Sequence, residues 1–313
     1  MINSEKPSIG GRGGYGPVGH EARVVCRAVR VVGARFSSNN FACAYVQAED
    51  AFIHLTLDQK IKLQVLLTAA GYWPAVPDEN FSTRLFNAIL QFEGDNDFVP
   101  LGILNDQQMD RLMSVAAPYL NAWRFEAVKH PMINNQIWVP MGLPLAEEPS
   151  TTGLRFVNRS LGVVLAYDFF PGFNLRFSFE SLRNKLGRGG ATIYYSKLYG
   201  NEFFALSYSD GITDAYVRYH QIGGGGIGFS LYWNHASTEA HIERIATLIS
   251  ASLWSSAGGA PFIAPFMVRS SPPRSDRTQP SGTARPKRAG TIGASPSRVG
   301  YRYFRHERWA SDY

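Results

Sequence analysis

The chain has 313 residues, of which 45% are hydrophobic, and it carries a net charge of +6 at pH 7. That hydrophobic fraction is large enough to bury a core, which excludes a wholly disordered chain. The sequence also predicts no membrane-spanning helix, because it contains no apolar run of eighteen residues. The two cysteines, Cys26 and Cys43, cannot build a disulfide framework, and no Cys/His cluster has zinc-site spacing.

The positive charge is concentrated at the ends of the chain. Residues 264–313 contain ten Lys and Arg against three acidic residues, a net charge of +7, and residues 1–50 carry +2. Residues 51–263 carry −3. A nucleic-acid or anionic-polymer function would therefore depend on the ends alone.

Both ends have the composition of disordered segments. Residues 264–313 are rich in Ser, Pro, Arg, Thr and Gly, and we interpret them as a basic disordered tail. Its last stretch, 301–309, alternates aromatic residues with arginines, which is a pattern able to hold an anionic polymer. A solvated tail is the interpretation we favour, and anionic-polymer binding stays open as an alternative.

Residues 1–50 are interpreted as a disordered or decayed targeting segment. The stretch 24–36 is apolar and basic, but arginines interrupt it, and Ala42-Cys43-Ala44 has the small-x-small form of a cleavage site. Export would place the protein in the periplasm or cell envelope. The start as written, taken literally, predicts a cytoplasmic protein.

Residues 51–125 are predicted to form a small three-helix bundle. Thr56 to Gln59 has the sequence of a capping box and opens a helix that ends at Gly71. A second helix is expected over 82–92. A third begins at the cap formed by Asn105.

Residues 126–263 are predicted to form an antiparallel sheet domain with flanking helices, so the fold class is α+β. The spacing of apolar residues and turns predicts strands over 137–140, 162–169, 174–179, 191–198, 202–208, 214–220 and 228–233. Helices are expected over 179–186 and 239–254. The run Gly223 to Gly228 could suggest a phosphate cradle, but it joins two strands, and we interpret it as a flexible hairpin loop.

Motifs over residues 56–115 resemble the peptidoglycan-binding-like domain family. The motifs that match are, in chain order, Ile61-Lys62-Leu63-Gln64, Leu67, Gly71-Tyr72, Pro77-Asp78, Phe81, Ala88-Ile89, Phe92-Glu93, Gly102 and Leu112. The resemblance implies a three-helix fold that binds peptidoglycan. The sequence departs from the family pattern at Glu79, where Gly is usual, at Leu85, where Thr is usual, and at Glu93, where Gln is usual.

The loop before the second helix has the residues that a glycan–peptide polymer requires. Tyr72 and Trp73 offer flat apolar faces, and Asp78, Asn80 and Arg84 offer hydrogen-bonding groups. We predict that these five residues bind the ligand. Phe81, which has a similar ring, is expected to fill the core instead.

An enzymatic alternative remains open from the sequence. His220 could form an acid–base pair with Asp210 or Asp214, although a structural histidine near a strand end is the interpretation we favour. No HExxH or Gly-x-Ser-x-Gly motif occurs. We therefore assign no catalytic residue, no metal ligand and no cofactor.

The sequence as a whole predicts a non-catalytic cell-envelope protein of bacterial type. The helical domain is expected to bind peptidoglycan, and the α+β domain is expected to be an accessory module or to bind another envelope protein. Nucleic acid is not an expected partner. The alternatives are a cell-envelope hydrolase, in which the helical domain targets the wall and the α+β domain is catalytic, and binding of an anionic polymer through the tail.

Overall fold

A computed structural model describes residues 38–236 and 241–257, so residues 1–37 and the predicted tail 264–313 lie outside the described residues. The fold class is α+β, as predicted. The described helices are α1 (Ser38–Ile53), α2 (Leu57–Ala70), α3 (Thr83–Asp95), α4 (Asp106–Trp123), α5 (Leu175–Arg188) and α6 (Ile242–Ala257). None of these helices is long and apolar enough to cross a membrane.

The strands all follow α4 in the chain. They are β1 (Phe125–Lys129), β2 (Gln136–Pro140), β3 (Ala146–Pro149), β4 (Gly153–Asn158), β5 (Val163–Pro171), β6 (Thr192–Tyr199), β7 (Phe203–Ser209), β8 (Thr213–Ile222) and β9 (Gly225–Asn234). Strands β1, β3 and β4 were not predicted: β1 and β3 are short and largely exposed, and β4 is short, with three consecutive buried residues at its end in place of a regular alternation.

The described residues divide into two compact units. The small unit contains residues 38–60 and 79–109, and the sheet unit contains residues 61–78, 110–236 and 241–257. Helices α2 and α4 each contribute residues to both units. The predicted domain boundary after residue 125 and the three-helix bundle therefore stay predictions.

Aromatic rings from α1, from Phe81 and from α3 pack together in the small unit. The Phe81 ring lies 5.3 Å, centroid to centroid, from the rings of Tyr45 and Phe52. The Phe86 ring lies 5.2 Å from that of Phe41. Helix α1 begins at Ser38, within the stretch 1–50 for which no packed structure was expected. Its rings at Phe41, Tyr45 and Phe52 make the contacts just given, and the targeting interpretation of residues 1–50 stays a prediction.

The predicted helix caps of the small unit are present. The Thr56 N–H donates to Gln59 Oε1 at 2.9 Å, and the Gln59 N–H donates to Thr56 Oγ1 at 3.3 Å, which completes the capping box. Asn105 and Gln108 make the same reciprocal pair at the start of α4. These caps satisfy backbone N–H groups that have no partner inside the helix.

Glu93 is a buried carboxylate that fixes the loop between α3 and α4. Its Oε2 accepts the backbone N–H groups of Leu101 at 2.8 Å and Gly102 at 2.7 Å. The Gln108 amide donates to Oε1 at 3.4 Å. Burial raises the pKa of Glu93 to about 7, and these hydrogen bonds only partly oppose the rise.

The sheet unit contains a seven-stranded antiparallel sheet and a separate β1–β2 hairpin. The strand order of the sheet is β3-β4-β5-β9-β8-β7-β6. Helix α6 packs against β2 of the hairpin and against β8 and β9 of the sheet. It is buried nearly all round, which explains why its sequence is rich in small and apolar residues.

Helix α5 covers β6, β7 and β8 on one face of the sheet. Its buried residues Leu175 and Phe179 pack against Phe204 and Leu206. The predicted strand over 174–179 is wrong, because α5 begins at Leu175. Asn174 caps the helix by accepting the Phe177 N–H at 2.9 Å, and the alternation of apolar and polar residues after it imitates a strand.

The predicted flexible loop over Gly223 to Gly228 is also wrong in extent, because β9 already begins at Gly225. A Cβ atom at Gly228 would overlap the Arg218 carbonyl oxygen and the Tyr219 ring. A Cβ atom at Gly226 would overlap the Phe173 ring. These glycines therefore provide space for aromatic rings against the strand.

We expect Gly228→Ala to destabilise the protein by about 1–3 kcal/mol, because the backbone carbonyl of Arg218 cannot move without distorting the β8–β9 ladder. Gly223→Ala is the matched control, since a Cβ atom there meets nothing within 4 Å. Urea denaturation of both variants measures the difference. Equal stability of the two variants would contradict the close packing at Gly228.

We expect Glu93→Gln to remove a pH dependence of stability. A pKa raised from 4.5 to about 7 in the folded state stabilises the fold fully below pH 4.5, and this contribution is lost as the pH rises through 7. From pH 4.5 to 7.5 the variant should gain on the order of 2 kcal/mol relative to the wild type. Denaturation at several pH values measures this gain, with the exposed Glu79→Gln as the control. Parallel profiles of E93Q and wild type would refute the assignment.

Candidate functional site

The predicted binding loop leaves α2 at Gly71, in the sheet unit. Gly71 has a φ of +92°, the left-handed conformation that ends many helices. The Arg244 guanidinium donates to the Ala69 carbonyl at 2.9 Å and lies where a Gly71 Cβ atom would be. It also stacks on the Tyr119 ring, 5.2 Å from the ring centre. The loop therefore begins at a point fixed by α6 and α4.

The other end of this loop is held by the buried side chain of Gln64. Its Nε2 donates to the Asp78 carbonyl at 2.5 Å, and its Oε1 accepts the Asp78 N–H at 3.2 Å. Gln64 is fully buried, so these bonds are shielded from water. The Gln64 side chain thus makes the two hydrogen bonds to the Asp78 backbone that a neighbouring β-strand would make in a sheet.

Trp73 and Tyr72 lie between these two fixed points. The N–H groups of both residues point back to the Leu67 carbonyl, at 3.2 and 2.8 Å. Trp73 is only 6% exposed, and Tyr72 is half-buried. The indole Nε1 of Trp73 is buried without a hydrogen-bond partner, and no other described side chain has such an atom.

The remaining predicted site residues, Asn80 and Arg84, belong to the small unit. Asn80 is exposed, and Arg84 is half-buried in the first turn of α3. Ser82 caps this turn by accepting the Leu85 N–H at 3.1 Å. The five predicted site residues are therefore divided between the units, with Tyr72, Trp73 and Asp78 on the same loop of the sheet unit.

The acid–base pair suggested for His220 is not formed. Its Nε2 accepts a hydrogen bond from Arg218 Nε at 2.9 Å, and burial together with the Arg218 charge lowers the pKa of His220 well below its usual value. Asp214 pairs with His235, whose Nδ1 lies 3.1 Å from both carboxylate oxygens. Asp210 instead accepts two backbone N–H groups of its own turn.

Arg218 illustrates why the sequence suggested the wrong partner for His220. The guanidinium is buried and stacks on the Phe203 ring at 4.2 Å and the Trp254 ring at 5.6 Å. Trp254 is far away in sequence, on α6, so no local pattern could predict this cluster. Among the described residues, no group of three His, Cys, Asp or Glu is placed to hold a metal ion.

The sheet unit contains a pocket that the sequence analysis missed. It has a volume of about 380 Å³ and lies on the α5 face of the sheet. The pocket is referred to below as the sheet pocket, and it is lined by Phe170, Phe173, Ser178, Leu182, Phe204, Val217, Tyr219, Ser230 and Tyr232. None of these lining residues carries a formal charge.

The polar end of the sheet pocket leads to a buried carboxylate. The Tyr219 hydroxyl donates to Asp168 Oδ2 at 3.2 Å and lies 3.5 Å from Ser230 Oγ. Thr152 Oγ1 donates to the other oxygen, Asp168 Oδ1, at 2.5 Å. Asp168 is 8% exposed. Burial, and then the Asp168 charge, raise the pKa of Tyr219, so its hydroxyl stays protonated.

One local pattern could have revealed the sheet pocket. Glycines on one strand leave a patch of the sheet without side chains, and aromatic side chains from neighbouring elements can then pack at the edge of that patch. Gly226 and Gly228 on β9 have this relation to Phe173 and Tyr219. The link from Tyr219 to Asp168 joins residues 51 positions apart and could not be predicted from the sequence.

We expect Gln64→Leu to destabilise the protein by about 1–3 kcal/mol, because a leucine of similar size leaves the Asp78 N–H and carbonyl without this buried partner. Amide hydrogen exchange in residues 71–78 should also become faster. Lys62→Leu, at an exposed position of the same helix, is the control. Unchanged exchange in Q64L would show that Gln64 does not hold the loop.

Comparison with known proteins adds no family to these observations. The sequence matches no protein-family model and no curated protein. What the loop and the sheet pocket can bind is therefore inferred from their own contacts, burial and charge.

Proposed function

We propose that this chain is a non-catalytic cell-envelope protein that binds peptidoglycan through the segment 72–84. The motifs over residues 56–115, which resemble those of peptidoglycan-binding-like domains, suggest the ligand. The α+β part of the sheet unit is proposed as an accessory module or a surface for another envelope protein. The periplasm or the cell envelope is the compartment in which this function operates.

The single observation that carries the proposal is the buried, unpartnered indole N–H of Trp73 in a loop fixed at both ends. Leaving a buried donor without an acceptor costs about 1–3 kcal/mol. A carbonyl or hydroxyl oxygen of a bound glycan–peptide would provide the acceptor, and a small rearrangement of the loop would open the way to it. The fixed ends of the loop would keep the entropy cost of binding low.

The other predicted contacts have chemistry that fits the same ligand. Tyr72 is partly accessible, and its ring can pack on the apolar face of a sugar. Asp78 can accept hydrogen bonds from sugar hydroxyls or peptide amides. On the small unit, the exposed Asn80 and the cation of Arg84 could hydrogen-bond the polar rim of a sugar and the carboxylates of the stem peptide.

The hydrolase alternative gains no support from the histidines it would use. His220 accepts a hydrogen bond from Arg218, and Asp214 is hydrogen-bonded to His235. A catalytic role would therefore require other residues than those the sequence suggested. The anionic-polymer alternative depends on residues 264–313, outside the described residues, and the salt dependence of binding separates it from wall binding.

The test is sedimentation of the full chain with purified peptidoglycan sacculi at moderate salt. The wild type should pellet with the sacculi well above a non-binding control protein. Binding that disappears at higher salt, or on deletion of 264–313, would favour the tail instead. No pelleting above the control protein would refute the proposal.

Trp73→Phe tests the residue that carries the proposal, because it keeps an aromatic ring and removes the N–H. We expect it to weaken sacculus binding about tenfold, equivalent to one lost hydrogen bond. Trp233→Phe, also at a buried tryptophan, is the matched control and should bind as the wild type does. Equal binding of W73F and W233F would remove Trp73 from the site.

A further inference from the structure

The sheet pocket is not used by the proposed function. It is bordered by the rings of Phe170, Phe173, Phe204 and Tyr219, whose neighbouring centroids lie 5.6–6.4 Å apart. A volume of about 380 Å³ is within the usual range for sites that bind small molecules. The aromatic border and the cavity size together favour a ligand with a compact apolar body.

Its polar end presents acceptors to a ligand. The Tyr219 hydroxyl gives its proton to Asp168 Oδ2, so the lone pairs of its oxygen remain available. Ser230 Oγ, 3.5 Å away, provides a second oxygen in the same lining. A ligand group that donates two or three hydrogen bonds fits this end better than one that only accepts.

The charge around the polar end is negative. The Asp168 carboxylate is buried and is bonded to the hydroxyls of Thr152 and Tyr219, and no described Lys or Arg forms an ion pair with it. The imidazole of His130 bonds to the Thr152 carbonyl at 3.2 Å, and burial lowers its pKa. A buried carboxylate is costly without a counter-charge, and a bound cation would provide one.

We propose that the sheet pocket binds a small organic ammonium ion with an aromatic or alicyclic body. The ammonium group would donate to Tyr219 Oη and Ser230 Oγ, one hydrogen bond away from the Asp168 carboxylate. The apolar body would lie among Phe170, Phe173 and Phe204, whose rings also attract cations. This site is independent of peptidoglycan binding, since none of its residues belongs to the segment 72–84.

Three ligands of equal size test the charge preference on the full chain: 2-phenylethylamine, 2-phenylethanol and phenylacetate. Isothermal titration calorimetry at pH 7 should show saturable binding of the amine at millimolar concentrations or below. The alcohol should bind at least fivefold more weakly, and the carboxylate should not bind measurably. Absence of amine binding would overturn the proposal, as would an alcohol or carboxylate that binds as tightly as the amine.

Asp168→Asn separates the charge from the shape of the pocket. We expect the variant to bind the amine about five- to tenfold more weakly and to bind the alcohol as the wild type does. Tyr219→Phe should weaken both ligands, whereas Tyr216→Phe, on the same strand with its hydroxyl bonded to Ser250, should weaken neither. Unchanged amine affinity in D168N would overturn the proposed role of the carboxylate.

Ser230→Ala keeps the proposal testable if D168N fails to fold. It removes a single hydroxyl from the pocket lining and should weaken amine binding about threefold or more, the effect of one lost hydrogen bond. Circular dichroism of each variant confirms the fold before titration. If S230A and Y219F both fold and both bind the amine as tightly as the wild type does, the amine does not bind at Tyr219 and Ser230, and the proposal is overturned.

Discussion

The packing of the sheet unit depends on one buried helix, α6, which contacts the β1–β2 hairpin on one side and the seven-stranded sheet on the other. The Ser252 hydroxyl accepts the backbone N–H of Trp138 on β2 at 2.9 Å, and Ser250 donates to the Tyr216 hydroxyl on β8 at 3.3 Å. Small hydroxyl residues let the hairpin and the sheet approach the helix closely and also satisfy polar groups that would otherwise be buried alone. Because α6 is enclosed in this way, its first turn is a rigid support for Arg244.

Arg244 connects this packing to the proposed binding loop. Its guanidinium caps the Ala69 carbonyl at the end of α2 and occupies the space beside Gly71. Gln64 fixes the far end of the same loop at Asp78. A loop restrained in this manner can keep the Trp73 indole N–H buried and unpartnered, at a cost that the surrounding structure has to offset. A ligand that supplies the missing acceptor gains the energy otherwise lost.

The opposite face of the sheet shows a different use of buried polarity. There the Asp168 carboxylate lies at one end of an apolar pocket. It accepts hydrogen bonds from the Thr152 and Tyr219 hydroxyls, and no described Lys or Arg forms an ion pair with it. Gly226 and Gly228 have no side chains, so the rings of Phe173 and Tyr219, which line the pocket, can pack directly against β9. Aromatic walls, hydroxyl acceptors and a buried carboxylate together discriminate against anions more strongly than against neutral or cationic ligands.

Local patterns predicted the parts of this fold whose energetics are local. The capping box at Thr56 lies in consecutive residues, so its sequence was sufficient. Asn174 is also a local cap, but the alternating apolar and polar residues after it favoured a strand. The segment is a helix because Leu175 and Phe179 pack against the sheet, which is a tertiary contact. The burial of Trp73, the pairing of His220 with Arg218 and the link from Tyr219 to Asp168 arise from tertiary contacts, which no spacing rule contains.

The central claim is that the segment 72–84 recognises the glycan–peptide of the cell wall. Titration of the isotopically labelled full chain with a soluble disaccharide–peptide fragment of peptidoglycan, followed by amide chemical shifts, tests it most directly. The account predicts saturable shifts at the backbone amides of 72–84 and at the Trp73 indole N–H, with the amides around the sheet pocket unchanged. Shifts confined to residues outside 72–84, or no shifts at millimolar fragment, would contradict it.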